Sequence, residues 1–167
     1  MHAHVLVLVP TPDNIQKQIE QLLAPYEETA PSETEEDNQS SSSPLFYWDW
    51  YVIGGRWQGY LSMKERCAKC SADWKHIYSR AHNTLIGNTA VLPNIREDVS
   101  ARAVVAPDGV WARKEVYQVY SEESWIDLSP EQYQEKDKEL GELWRPEFIQ
   151  VLASHRGFTA VSVDCHH

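Results

Sequence analysis

The residues best suited to chemistry stand at the two ends of the chain and near its middle. His2-x-His4 opens it and Asp164-x-His166 closes it. Imidazole exchanges protons near neutral pH, and a carboxylate beside it fixes which ring nitrogen holds the proton. The middle stretch is Trp48-Asp49-Trp50-Tyr51-Val52-Ile53-Gly54-Gly55-Arg56-Trp57, with three of the seven tryptophans. Trp50, Tyr51 and Trp57 offer flat faces on which a planar ligand can stack. Arg56 carries a rigid fork of donors for phosphate or carboxylate, and Gly54-Gly55 lets backbone N–H groups approach an anion without a Cβ in the way. The plainer alternative is an aromatic core strand whose turn is braced by an Asp49–Arg56 salt bridge.

The terminal groups meet only if a sheet brings them together. Residues His2 to Val9 form a β-branched and leucine run closed by Pro10, the pattern of a buried central strand. Phe158 to His166 reads as the last strand. Side chains alternate along a strand, so His2, His4, Leu6 and Leu8 share one face, and Ala160, Ser162, Asp164 and His166 share another. Antiparallel pairing of the two strands would make His2, His4, Asp164 and His166 converge on an open face of the sheet. That set holds the nitrogen and oxygen ligands preferred by Zn²⁺ or Mn²⁺. Without a metal, His2, Asp164 and His166 make a general acid/base group, and the competing reading is solvated strand ends. Cys165 falls on the more apolar face with Thr159, Val161 and Val163, where a buried thiol is inert. A separate cluster, Cys67-x2-Cys70-x5-His76-x5-His82, has the ligand types of a structural zinc knuckle at a shorter central spacing than a standard finger.

The remaining elements follow from turn and cap signals. Thr11-Pro12-Asp13 predicts a helix with an N-cap and an early proline, its apolar stripe being Ile15, Ile19, Leu22 and Leu23. Residues 27–44 are acidic and serine-rich and predict a mobile loop. Phe46 to Ile53 has strand composition, and residues 71–82 suggest a helix. Ala101–Ala106 and Val110–Tyr120 read as strands joined at Pro107-Asp108-Gly109. Ser129-Pro130 with Gln132 starts a helix that Pro146 should interrupt, and Gly157 stops the segment that follows. The order predicts one α+β domain over residues 1–167, a mainly antiparallel sheet with helices on one face in a ferredoxin-like arrangement.

Charge narrows the function. The net charge of −10, from 25 acidic and 15 basic residues, argues against general nucleic-acid or anionic-membrane binding. No apolar run approaches the roughly 20 residues that span a bilayer, and three cysteines without a basic signal-peptide start fit a reducing cytoplasm. The chain resembles a family of small bacteriophage and bacterial proteins. The resemblance rests on the His2-led strand, Leu23-Ala24-Pro25-Tyr26, the WDWYVIGGRW block and the closing Val163-Asp164-Cys165-His166. It implies a phage-linked setting, hence a host cytoplasm, and marks those motifs as site residues; His4 and the Cys67–His82 cluster stand outside it. The leading expectation is a protein that binds, and by His2, Asp164 and His166 hydrolyses, a small anionic nucleotide-like ligand. In that setting it would sequester or degrade a host signalling nucleotide. The alternative is an acidic, non-enzymatic protein that inhibits a host protein partner.

Overall fold

A computed structural model describes residues 2–27, 48–61, 85, 87–114, 120–121, 124–125 and 129–166. Of the expected loop over 27–44 only Glu27, bridged to Trp48, is described; the helix over 71–82 and the cluster of Cys67, Cys70, His76 and His82 lie outside the described residues. Elements run β1 (His2–Val9), α1 (Ile15–Leu23), β2 (Trp50–Ile53), β3 (Thr89–Val91), β4 (Ala103–Val105), β5 (Trp111–Arg113), β6 (Tyr120–Ser121), β7 (Ser124–Trp125), α2 (Pro130–Ser154) and β8 (Thr159–His166). One-turn 3-10 helices cover Ala24–Tyr26 and Gly55–Trp57. This is a mixed α+β protein.

The main sheet has the order β2-β8-β1-β4-β5, with β3 also on β8, and β6–β7 form a small separate ladder. β1 and β8 pair antiparallel along their full length, from His2 opposite His166 to Val9 opposite Thr159. The far edge of β8 is shared in tandem. β2 pairs with Val163 to His166, and β3 with Thr159 to Val161. Ser162 falls between them, and its backbone is completed by Gly54 N–H donating to Ser162 O and Ser162 N–H donating to Asn88 O, each at 2.8 Å.

The helices lie on opposite faces, which corrects the one-face expectation. Val5, Val7, Val161, Val163 and Cys165 pack with Ile15, Ile19 and Leu23 of α1. Leu6, Leu8, Val104 and Ala160 pack with Trp144 and Phe148 of α2. The reason is legible in β1 itself. Val5 to Val9 are all buried, so both faces of the central strand exclude water and both need cover. The β1–β4 pair also runs parallel, where a ferredoxin-like sheet is antiparallel throughout.

Three local expectations change as well. α1 starts at Ile15, after Asn14 in the left-handed region (φ 51°) and with no side-chain cap, so Thr11 and Pro12 sit in the preceding turn. Gln18 instead turns back to donate to Thr11 O at 3.0 Å. α2 begins as its capping box requires, with reciprocal Ser129 and Gln132 hydrogen bonds, but it runs unbroken through Pro146. Trp144 and Phe148 anchor the helix on either side of that proline, and Trp144 Nε1–H donates to Ala101 O at 2.8 Å. Glu142, whose carbonyl loses its partner to the proline, is exposed. Finally, β2 begins only at Trp50, after a bend at Asp49. Trp48 therefore joins Tyr51 and Ile53 on the α1 side, where strict alternation from Phe46 would have paired it with Trp50.

Candidate functional site

Asp164 is fully buried near the end of β8. A carboxylate removed from water needs donors, and two are supplied. His2 Nδ1 lies 2.8 Å from Oδ1, and Arg56 N–H donates to Oδ2 at 3.0 Å. Nδ1 is thus the His2 ring nitrogen that meets the carboxylate. Gly55 is required by this contact, and Gly54 by the close approach of Asn88 and Gln58. Gly54 and Gly55 have φ of 79° and 52°, and a Cβ on Gly55 would lie 2.4 Å from the Cβ of Asp164. The anion approached by this turn is thus the chain's own Asp164.

A second histidine–carboxylate pair stands alongside. His166 Nδ1 is 2.9 and 3.1 Å from the two oxygens of Asp49, at the bend that starts β2. Desolvation, which alone would raise the Asp49 pKa, is outweighed by the hydrogen bond and charge of His166 and by backbone donors, so the carboxyl titrates below its usual value. Asp49 therefore takes His166, rather than Arg56, as its partner. The Trp50 ring stacks on His166 (5.0 Å, 12°) and meets His2 edge-on (5.5 Å), while the two imidazoles are 4.9 Å apart.

His4 does not join this group as a ligand. Its ring is buried, with Nδ1 2.8 Å from the carbonyl of Ser100 and Nε2 2.8 Å from Ser162 Oγ. The carbonyl can only accept, so Nδ1 is protonated, and the serine hydroxyl occupies Nε2. Both nitrogens are committed. Among the described residues no three His, Cys, Asp or Glu side chains are arranged to hold a metal ion. His4 acts as a platform, with Trp57 stacked on it at 5.0 Å and 11° and Tyr60 edge-on at 5.3 Å.

Beside this platform opens a cleft of about 350 Å³. The start of β1 with His2, the Trp57–Tyr60 segment, residues 100–102, Lys114 and the inner face of α2 wall it. Three cationic side chains reach it from distant parts of the sequence: Arg102, Lys114 and Arg145. Lys114 Nζ donates to the carbonyl and carboxylate of Asp137, each at 2.6 Å, and Arg145 donates to the carbonyls of Val99 and Glu97. Among the described residues Asp137 is the one carboxylate lining the cleft, against the three cations.

The aromatic block divides among three places. Trp57 lines the cleft, and Trp50 packs against both His2 and His166. Tyr51 packs on the α1 side, where burial, with Glu20 nearby, pushes its phenol up to about 12 and keeps it neutral. Arg56 contributes its backbone N–H to Asp164, and its side chain is exposed outside the cleft walls. Cys165 is buried, and desolvation raises its thiol pKa far above neutrality, which keeps it inert. Sequence reasoning missed Arg102, Lys114 and Arg145, which belong to no linear motif. It also missed Asn88, whose buried amide accepts from Gly59 N–H and donates to Gln58. No protein-family model, curated protein or solved structure matches this chain.

Proposed function

We propose that the chain binds a small anionic, nucleotide-like ligand in the cleft beside β1 and α2, with His2 at its mouth. The observation that carries this reading is the convergence of Arg102, Lys114 and Arg145 with the rings of Trp57, Tyr60 and Trp144 around one cavity. Guanidinium and ammonium groups neutralise phosphate, and aromatic rings take a planar base. The cavity lies in the roughly 300–1,000 Å³ range of small-molecule sites. Net charge excludes nothing here, because a local cationic cleft in an acidic body selects small anions over polyanions that meet the whole surface.

Hydrolysis is the chemistry the two histidines would add. A water oxygen attacks phosphorus and gives its proton to His2 Nε2, while Asp164 stabilises the imidazolium that forms. The phosphorus–oxygen bond to the leaving group breaks and that oxygen takes a proton from water, while His166, held by Asp49 beside the His2 ring and outside the cleft lining, keeps that ring in place. In the phage-linked setting that the sequence resemblance implies, the role would be to sequester or degrade a host signalling nucleotide.

A thermal-shift panel of AMP, ADP and ATP tests the binding reading. Ligand at about 100 times its Kd stabilises by about 2.7 kcal/mol, which raises Tm by several degrees in a chain of this size. No shift with any nucleotide at millimolar concentration would overturn it.

A further inference from the structure

A second groove lies across α2 from the nucleotide cleft, and its walls are of a different kind. Its volume is about 340 Å³. Leu92, Ile95, Val99, Phe148, Ile149 and Leu152 supply half of its lining. Ile149 is 50 % exposed, an aliphatic side chain on the wall whose burial by a ligand would be favourable. The charged residues around the groove are Arg96, Arg145, Arg156 and Glu97. Among the described residues the lining holds three cations and one carboxylate, and with Arg96 neutralised by Asp98 the excess charge rests on Arg145 and Arg156 against Glu97. Arg96 is paired with Asp98, and Arg145 donates to the carbonyls of Val99 and Glu97. Arg156 lies just beyond the end of α2 and is exposed.

We propose that this groove binds a medium-chain aliphatic carboxylate, its chain against Phe148, Ile149 and Leu152 and its headgroup at Arg156. An open apolar groove with Arg156 at its rim matches an amphiphile carrying a single anionic end. A flat partner protein would leave the concavity unfilled. The site is separate from the nucleotide reading and does not depend on it, although Arg145 and Phe148 line both cavities.

Calorimetric titration of the full chain with decanoate, decanol and butyrate tests the proposal. Decanoate is expected to bind saturably at one site below its aggregation concentration. Loss of the charged end (decanol) should weaken binding roughly tenfold, the scale of one charge-assisted hydrogen bond, and butyrate should not bind measurably. Arg156→Gln should weaken decanoate by a similar factor and leave decanol unchanged. Ile149→Asp should abolish binding of both. Each position is exposed, and circular dichroism checks that each variant stays folded. Non-saturating decanoate, equal affinity for decanol and decanoate, or affinities unchanged in both variants would each overturn the proposal. Self-association that Ile149→Asp removes, without decanoate binding, would assign the groove to a second copy of the chain and also overturn it.

Discussion

Single residues explain why the middle and the end of this sequence belong together. Gly55 is needed because Asp164 packs against its α-carbon, and Asp164 in turn holds His2 and the Arg56 N–H. Gly55→Ala should therefore lose the roughly 1–3 kcal/mol of a non-glycine residue forced to positive φ, and more from the clash. Gly109→Ala is the matched control, since its φ is 84° but nothing lies within 4 Å of the added carbon. Chemical denaturation of both variants should show the larger loss at Gly55. Equal losses would mean that the close approach to Asp164 carries no cost. Acid titration probes the other dyad. The folded Asp49 pKa lies below the ordinary value of 3.8, so its contribution to stability is present above that pH and is lost as pH falls through the folded value. Asp49→Asn should flatten that part of the Tm-against-pH curve and change little at neutral pH. An unaltered acid limb would remove the His166 pairing from the account.

At the scale of elements, α2 obeys one local rule at its start and overrides another in its interior. Ser129→Ala removes an N-cap and should cost about 0.5–2 kcal/mol in denaturant unfolding. Pro146 is the overridden rule. Proline in a helix interior is unfavourable by about 3 kcal/mol, and the anchors at Trp144 and Phe148 offset it. Pro146→Ala should stabilise the protein, by less than that figure because alanine also frees the unfolded chain. A destabilised Pro146→Ala protein would show that the proline's shape, and not only its tolerance, is used in packing against the sheet. The strands obey a similar logic. The antiparallel meeting of β1 and β8 was legible because both are strongly patterned and end in complementary polar residues. The bend at Asp49 was not, since nothing in Trp48-Asp49-Trp50 announces a break in alternation.

For the whole molecule, the pairing of sequence ends could be read in advance, and the covering of both sheet faces could have been. Alternate residues Leu6, Leu8 and Val5, Val7 are all aliphatic, a strand with no solvent face. The cationic cleft was beyond sequence reading for a plain reason. Arg102 precedes β4, Lys114 follows β5 and Arg145 is on α2, and only the fold places them together. Sequence reading put the phosphate-binding fork at Arg56, where the glycine turn pointed to an anion; the turn meets Asp164. This difference yields the most direct measurement. Calorimetric titration of ATP should be run on the unaltered chain, on Arg102→Gln and on Arg56→Gln. With phosphate held in the cleft, Arg102→Gln should weaken binding roughly tenfold or more, as expected for one lost charge-assisted contact, and Arg56→Gln should leave it nearly unchanged. The reverse order, or no ATP binding to the unaltered chain, would contradict the cleft as the site.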